Sequence, residues 1–260
     1  SDLRAQQALR SMSVHSKAGP DDSILFVIDD MEITVVDVAA RLFDHLLEMS
    51  SRWIGSDVTS AVVTIPVDFD AAAKRELELA AKRAGLSIAA IVAEPVAAVM
   101  GCGFTGADEQ VVAVYDFGGG TFDVSMVKVG YDRFSILGSA GDRWLGGANL
   151  DDILAQHVAE VFHSTTGMSV DSRRDQYQRL LFTCEEAKRW LSTLEKVDVI
   201  LPAATIRNDE SVTLRVPVSR DRFSDLARDS VAASLEVCSR AAEEAGVTPK
   251  SIDSLLITGG

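Results

Sequence analysis

The stretch Asp116-Phe117-Gly118-Gly119-Gly120-Thr121-Phe122-Asp123 carries the sharpest signal in the sequence. Three consecutive glycines between two apolar runs predict a tight turn joining two strands, because glycine turns without a Cβ clash. Successive N–H groups in such a turn form a concavity that binds anions. Asp116 and Asp123 flank the turn, where carboxylates suit a hydrated Mg²⁺, and Thr121 offers a hydroxyl to a phosphate oxygen. For the three glycines alone, a solvated hairpin turn is the alternative.

The segments around this turn alternate between strand and helix patterns. Residues 110–115 and 122–129 flank it as apolar runs, and residues 131–137 predict a third strand, which gives a meander. Helical spacing of apolar residues predicts helices over 35–53, 71–84, 150–162, 174–191 and 222–245. A short helix is predicted over 96–103, with Pro95 in its first turn. Short apolar runs predict strands near 23–29, 61–65, 88–92, 197–201, 212–216 and 254–258. The combination indicates a mixed α/β sheet with inserted subdomains.

The composition and net charge of the chain argue against some classes of function. The chain has 260 residues and a formal net charge of −14, so it has no basic surplus with which to bind nucleic acid through the phosphate backbone. A polyanionic ligand is compatible only if backbone N–H groups bind it. Cys102, Cys184 and Cys238 lie far apart, as expected of small buried hydrophobes in a reducing compartment. No apolar run approaches the roughly 20 residues of a membrane span, so we expect a cytoplasmic protein that does not bind membranes.

The octet resembles the second phosphate loop of the actin-like ATPases, and specifically that of the 70-kilodalton heat-shock chaperones. Other segments resemble the same family in the same order along the chain. They are Val63-Thr64-Ile65-Pro66, Ala84-Gly85-Leu86, Glu94-Pro95-Val96-Ala97-Ala98, the segment 141–147, the segment 184–192 and Leu256-Ile257-Thr258-Gly259-Gly260. The likeness is strong from about Val58 onward and vague before it.

This resemblance implies an actin-like ATPase fold, related to ribonuclease H, with two lobes, mixed sheets and inserted subdomains. We expect the fold to be incomplete at both ends and the chain to be an excised fragment. Residues 1–57 correspond to the outer subdomain of the first lobe and residues 58–106 to its inner subdomain. In the second lobe, residues 107–145 together with 224–260 form the inner subdomain, and residues 146–223 form the outer one.

The resemblance also implies residue roles. Glu94, Asp116 and Asp123 are the expected catalytic residues, with Glu94 organising water at the hinge between the lobes and the two aspartates holding Mg²⁺ through water. The residues alone indicate a different role for Glu94, as a carboxylate at a helix N-terminus that interacts favourably with the helix dipole. ATP or ADP is the expected cofactor, with contacts from Gly118, Gly119, Gly120, Thr121, Gly147, Glu185, Lys188, Arg189, Ser192, Gly259 and Gly260. Of these, Glu185, Lys188, Arg189 and Ser192 follow helical spacing that predicts one shared face, and Arg189 is expected to stack on the adenine.

The implied function is an ATPase domain that couples nucleotide state to peptide binding by a chaperone. Its implied partners are a J-domain co-chaperone, a nucleotide exchange factor and unfolded client peptides, which bind a domain outside this chain. Two alternatives share the fold: a filament-forming ATPase, and a sugar or acetate kinase in which Glu94 or a nearby carboxylate activates a substrate hydroxyl. The segments 141–147 and 184–192 favour the chaperone.

The sequence also departs from the family pattern. It contains no counterpart of the family's first phosphate loop, Asp-Leu-Gly-Thr-Thr or similar, or of the active-site lysine that follows it. Lys74 stands where the family usually has arginine, so bidentate hydrogen bonding is lost there. We therefore expect the 260-residue chain on its own to hydrolyse ATP negligibly, and the signalling between lobes to be altered.

Overall fold

The structure, a computed structural model, describes residues 15–19, 24–104, 109–131, 133–170 and 174–259. The chain divides into two compact units, Ser1–Thr105 and Gly106–Gly260, which are described in turn. The four-way division into subdomains remains a prediction.

Within its described residues, the first unit combines two small sheets with three helices. Its elements are β1 (His15–Ala18), β2 (Ile24–Ile28), β3 (Met31–Thr34), α1 (Val35–Ile54), β4 (Ser60–Ile65), α2 (Ala71–Arg83), β5 (Ser87–Ala93) and α3 (Glu94–Gly101). Strands β1, β2 and β3 form an antiparallel sheet in that order. Strands β4 and β5 pair in parallel, with α2 as the crossover between them. The predicted helices and strands of this unit are confirmed, whereas β1 and β3 were not predicted.

The helix ends follow local capping chemistry. The Thr34 hydroxyl accepts from the Asp37 amide at 3.1 Å, and the Asp37 carboxylate accepts from the Thr34 amide at 3.0 Å, so α1 begins with a reciprocal capping box. Gly55, at a φ of 79°, ends α1 in the left-handed conformation that glycine adopts readily. The Asp70 carboxylate caps the start of α2 by accepting from the amides of Ala72 and Ala73, both at 2.8 Å. These short-range signals explain why the helix boundaries could be read from sequence.

The second unit is built on a four-stranded sheet. Its elements are β6 (Gln110–Phe117), β7 (Phe122–Gly130), β8 (Arg133–Asp142), α4 (Gly147–Thr166), α5 (Arg174–Leu191), β9 (Lys196–Arg207), β10 (Glu210–Ser219), α6 (Arg220–Ala245) and β11 (Ser254–Gly259). The sheet order is β11-β6-β7-β8. Strands β6, β7 and β8 form the predicted antiparallel meander, and β11 pairs in parallel with β6. The mixed α/β prediction is confirmed.

Two apolar clusters hold this unit together. One lies between the sheet and α6, and its buried members include Phe122 and Met126 from the sheet and Val237 and Ala241 from the helix. Helix α6 comes so close to β8 that a Cβ on Gly138 would lie 2.5 Å from the Ala245 amide nitrogen. The other cluster lies among α4, α5 and the β9–β10 hairpin. Its fully buried members include Leu154, Val158, Leu180, Val199 and Leu214.

The main differences from the predicted elements lie in β9, β8 and α4. Strand β9 extends past Pro202 to Arg207, beyond the predicted end at 201, because Ala203 adopts a left-handed φ of 53° beside a register shift in the pairing with β10. Strand β8 runs to Asp142 and α4 begins at Gly147, so both exceed the predicted spans. Cysteine burial was only partly right, since Cys184 is buried but Cys102, beyond the end of α3, is exposed. In the described ranges, no helix has the length and apolarity needed to cross a bilayer.

Candidate functional site

A row of four paired residues crosses the sheet of the second unit at one end. Thr258 in β11 pairs with Asp116 in β6, Asp116 pairs with Asp123 in β7, and Asp123 pairs with Gly141 in β8. Directly paired residues point to the same face, so the two predicted aspartates are immediate neighbours. The Thr258 hydroxyl donates to Asp116 Oδ1 at 3.2 Å. Two carboxylates side by side repel each other, and a cation between them would relieve that repulsion.

The glycine loop connects the two aspartate-bearing strands. The Gly118 amide donates to the Thr121 carbonyl at 2.9 Å and closes the turn. At Gly119 and Gly120, apart from the adjoining residues of the loop, no atom in the described part of the chain lies within 4 Å of the position that a Cβ would take. Among the described residues, no backbone carbonyl accepts from the amides of Gly119, Gly120 or Thr121. The loop therefore has open space and available N–H donors on the same stretch of backbone, as the anion-binding prediction requires.

The other side of the loop is fixed to the N-terminus of α4. The Gly147 amide donates to the Gly118 carbonyl at 2.9 Å, and the Ala148 amide donates to the Gly119 carbonyl at 2.7 Å. Gly146 makes this approach possible, since a Cβ there would lie 2.6 Å from the Gly120 carbonyl carbon. The first amides of a helix lack partners within it, and here loop carbonyls supply two of them. Gly147 was predicted to contact the nucleotide, but in the structure its N–H donates to a carbonyl of the loop.

The predicted adenosine-contacting residues of α5 have different partners in the structure. Glu185 and Arg189 form an ion pair at 2.5 Å on the exposed side of the helix, where the Arg189 side chain is 74% exposed. Lys188 turns inward instead, and its ammonium lies 2.8 Å from Asp151 Oδ1 and 2.9 Å from the Gly147 carbonyl. The helix ends at Leu191, so Ser192 follows in a turn. Glu185, Lys188 and Arg189 therefore lie on α5, Ser192 lies just beyond its end, and the Lys188 ammonium is turned toward the buried carboxylate of Asp151. Their contact with adenosine remains a prediction.

Two glycines were predicted near the sugar, and the structure describes one of them. Gly259 has a φ of 114°, and a Cβ there would lie 2.0 Å from the Phe117 carbonyl oxygen. Only glycine fits this position, since both the backbone conformation and the approach to β6 exclude a side chain. Gly260 lies outside the described residues.

Glu94 belongs to the first unit, whereas the remaining predicted site residues belong to the second. It occupies the first turn of α3, directly before Pro95. The residue that caps this helix, Ala93, makes no side-chain hydrogen bond to it. A carboxylate in the first turn interacts favourably with the positive end of the helix dipole. This is the role that the residues alone indicate for Glu94.

Sequence reasoning missed two residues of this site. Gly141 lies opposite Asp123, and a Cβ on it would lie 2.4 Å from Asp123 Oδ1. Asp151 is buried, and burial raises the pKa of its carboxyl while the Lys188 ammonium opposes that rise. A signal for Asp151 was available, because it shares the helical spacing of the core residues Leu154, Ala155 and Val158. In the described part of the chain, no group of three or more histidine, cysteine or acidic side chains is arranged to hold a metal ion.

Comparison with known proteins adds evidence independent of this geometry. The family model described as Hsp70 protein matches residues 1–260. The chaperone protein dnaK3 of Synechococcus elongatus is 34% identical over 243 residues, which cover 93% of this chain and 32% of that protein. The chaperone protein DnaK 1 of a Synechococcus species is 33% identical over 243 residues, with the same coverage. The chain thus spans about a third of the length of these curated relatives.

Proposed function

Because the chain belongs to the Hsp70 family, we propose that it is the nucleotide-binding part of a chaperone that hydrolyses ATP to control peptide binding. The family relationship favours a chaperone nucleotide-binding domain over a filament-forming ATPase or a kinase. ATP hydrolysis and peptide binding are proposed for the whole protein, since the chain corresponds to about a third of its relatives. The observation that carries the proposal is the glycine loop, where the amides of Gly119, Gly120 and Thr121 donate to no backbone carbonyl of the described residues and lie next in sequence to two paired aspartates.

The loop fits the phosphates of ATP or ADP. Its carbonyls at Gly118 and Gly119 point into α4, so the donors of Gly119, Gly120 and Thr121 remain for a ligand rich in acceptor oxygens. A nest of backbone N–H groups binds anions in this way even on a chain of net charge −14. The open space at Gly119 and Gly120 allows a bulky phosphate to approach the backbone.

Asp116 and Asp123 fit a hydrated Mg²⁺. Magnesium in nucleotide sites keeps several waters and takes one or two carboxylates together with phosphate oxygens, which matches a pair of carboxylates in place of a larger cluster. When bound, the ion neutralises charge on the transferring phosphoryl group. Thr258 orients Asp116 through its hydroxyl, and Gly141 leaves room for the Asp123 carboxylate. Glu94 is proposed to orient the attacking water.

The exposed side of α5 is proposed to bind adenosine. Arg189 offers a guanidinium for stacking on the base, worth about 0.5–2 kcal/mol, while Glu185 already fixes its position through an ion pair. Ser192 and Gly259 are proposed sugar contacts, and Gly260 is proposed with them. Lys188 and Gly147, assigned to nucleotide by resemblance, are engaged with each other in the structure.

The cellular setting is proposed from the family. A J-domain co-chaperone, a nucleotide exchange factor and unfolded client peptides are the proposed partners, and the cytoplasm is the proposed compartment. Nucleic acid and membranes are not proposed as partners.

NMR titration of the 260-residue chain tests this function. Adenosine should shift the signals of Arg189 and Ser192 more than guanosine does, and ADP with Mg²⁺ should also shift Gly119, Gly120 and Thr121. Arg189→Ala should remove the preference for adenine. The matched control is Arg215→Ala, which likewise breaks an exposed ion pair between an arginine and a carboxylate, here that of Asp198. Equal shifts with adenosine and guanosine would refute the adenosine assignment, and an unshifted loop with ADP would refute the phosphate assignment.

Two further measurements separate the alternatives. A filament-forming ATPase should scatter more light when ATP is added, in a concentration-dependent way. A kinase should transfer the γ-phosphoryl group to a sugar or to acetate in a coupled assay. Neither signal is expected from a chaperone domain, so either one would favour the corresponding alternative.

A further inference from the structure

Lys188, on α5, contacts α4 through two groups. Its ammonium is 2.8 Å from Asp151 Oδ1 on α4 and donates to the Gly147 carbonyl, also on α4, at 2.9 Å. Both side chains of the pair are largely shielded from water, at 17% exposure for Lys188 and 11% for Asp151. Ion pairs in such surroundings are weakly screened, and removing one partner leaves a costly uncompensated charge. The pair is therefore strongly coupled to the position of the first turn of α4.

Gly147 connects this pair to the glycine loop. Its carbonyl accepts from Lys188, and its amide donates to the Gly118 carbonyl at 2.9 Å. The next amide, of Ala148, donates to the Gly119 carbonyl. A Cβ at Gly147 would lie 3.0 Å from Lys188 Nζ, so a side chain there would crowd the ammonium. A continuous series of polar contacts thus runs from Asp151 through Lys188 and Gly147 to the loop.

We propose that Lys188, held by Asp151, is a positioning residue for the loop that spans residues 118–121, and acts on the phosphate end of the nucleotide through that loop. This inference rests on the proposed function of the loop. Lys188 keeps the first turn of α4 in place, and that turn keeps the loop carbonyls bound and the loop amides facing outward. Helix α5 then contributes to both ends of the nucleotide, with Arg189 on its exposed side and Lys188 on its inner side.

The first experiment needs no nucleotide. Amide hydrogen exchange is measured by NMR at Gly118, Gly147 and Ala148, whose N–H groups make the hydrogen bonds that hold the loop. Lys188→Met removes the charge and keeps the length of the side chain. We expect exchange at these three amides to become at least about tenfold faster, which corresponds to the loss of one hydrogen bond to a charged group. Unchanged exchange would overturn the proposal.

An exposed ion pair provides the matched control. Lys128 Nζ lies 2.8 Å from Glu109 Oε2, the same distance as in the buried pair, but these side chains are 42% and 56% exposed. Lys128→Met should leave exchange at Gly118, Gly147 and Ala148 unchanged. If it accelerated exchange as much as Lys188→Met does, a general loss of stability would explain both results and the proposal would fail.

The second experiment compares ADP with adenosine as probes in the intact chain. Lys188→Met should weaken ADP binding by about tenfold to a hundredfold and adenosine binding by less than about threefold, because adenosine lacks phosphates. Lys188→Arg, which retains the charge, should recover part of the ADP affinity. An equal loss for both probes would mean that Lys188 contacts adenosine directly, and would overturn the proposal. If the unaltered chain bound no ADP, the proposed function would fail while the exchange experiment still judged the positioning role.

Asp151→Asn serves if Lys188→Met does not fold. It keeps the shape of the side chain and removes the charge that holds Lys188. Faster exchange at Gly147 and Ala148 with an unchanged circular dichroism spectrum supports the proposal. A folded Asp151→Asn chain with normal exchange at both amides refutes it.

Discussion

Asp123 and Gly141 face each other across β7 and β8, and the Asp123 carboxylate occupies the space that a side chain at position 141 would need. A Cβ on Gly141 would lie 2.4 Å from Asp123 Oδ1. The Arg240 guanidinium also donates to the Gly141 carbonyl at 3.3 Å, so this part of β8 is held from the α6 side. The glycine therefore determines where one of the two proposed magnesium-site carboxylates can lie.

Gly141→Ala should displace the Asp123 carboxylate at little cost to the fold. Gly141 is not in the left-handed region, so alanine suits its backbone, and a rotated carboxylate relieves the clash for about 0.5–1.5 kcal/mol. We expect weaker binding of Mg²⁺ with ADP, measured by calorimetry, and a nearly unchanged melting temperature. In an Asp123→Ala background, the same substitution should have no further effect on binding. An additional loss there would show that Gly141 acts by another route.

Gly146→Ala should lower the stability of the fold, whereas Gly119→Ala should leave stability unchanged and weaken ADP binding. At Gly146 the new Cβ meets the Gly120 backbone at 2.6 Å, which no side-chain rotation relieves, so the free energy of unfolding should fall by about 1–3 kcal/mol. At Gly119 the space is open, so stability should hold while ADP binding weakens, because the methyl group occupies the phosphate's approach. Denaturant unfolding and ADP titration of both variants check this. A stable Gly146→Ala chain with an unshifted loop would contradict the close approach of α4.

Ala203→Gly should stabilise the second unit. Ala203 adopts a φ of 53°, which costs a residue with a side chain about 1–2 kcal/mol, and glycine loses about 0.5–1 kcal/mol in chain entropy. The net gain should be up to about 1 kcal/mol, measured by chemical denaturation. The neighbouring Ala204 is fully buried and outside the left-handed region, so Ala204→Gly should destabilise. If both substitutions lowered stability alike, Ala203 would not be strained.

The stability of the second unit should fall on mild acidification. Burial, and to a lesser extent the charge of Arg222, lowers the pKa of His157 below 6.5, although Glu160 opposes this. The unfolded chain then binds a proton at a higher pH than the folded chain, so stability falls as pH decreases through 6.5. His157→Gln should flatten that part of the profile of unfolding free energy against pH. Direct NMR titration of the His157 ring should give a pKa below 6.5, and a higher value would contradict the prediction.

Local signals in the sequence predicted most of the elements. The three glycines, the flanking aspartates and the apolar runs on both sides predicted the β6–β7 turn and the third strand of the meander. Apolar spacing predicted α1 over 35–53, and the structure shows that Thr34 and Gly55 cap its two ends. The extension of β9 past Pro202 was missed because the strained Ala203 is tolerated only in its tertiary setting.

The candidate site also has some features that local sequence predicted and others that depend on tertiary contacts. Asp116 and Asp123 are paired across the β6–β7 hairpin, because the turn between the two strands fixes their register. Helical spacing placed Glu185 and Arg189 correctly together, but it could not place Lys188. The direction of that side chain depends on Asp151, which lies 37 positions earlier in the printed sequence and on another helix. Gly141 was missed for a similar reason, because its role exists only across a strand pairing.

The attachment of the loop to α4 changes the electrostatics of its amides. The peptide group that contains the Gly118 carbonyl also contains the Gly119 N–H, and the next peptide group links the Gly119 carbonyl to the Gly120 N–H. Each carbonyl accepts a hydrogen bond from the first turn of α4, so each peptide group is polarised and its own N–H becomes a stronger donor. These two peptide groups thereby extend the helix dipole into the loop. Its positive end then lies at the N–H groups of Gly119 and Gly120, where the phosphate is proposed to bind. If the loop binds phosphate as proposed, its affinity should therefore depend on the first turn of α4 as well as on the loop itself.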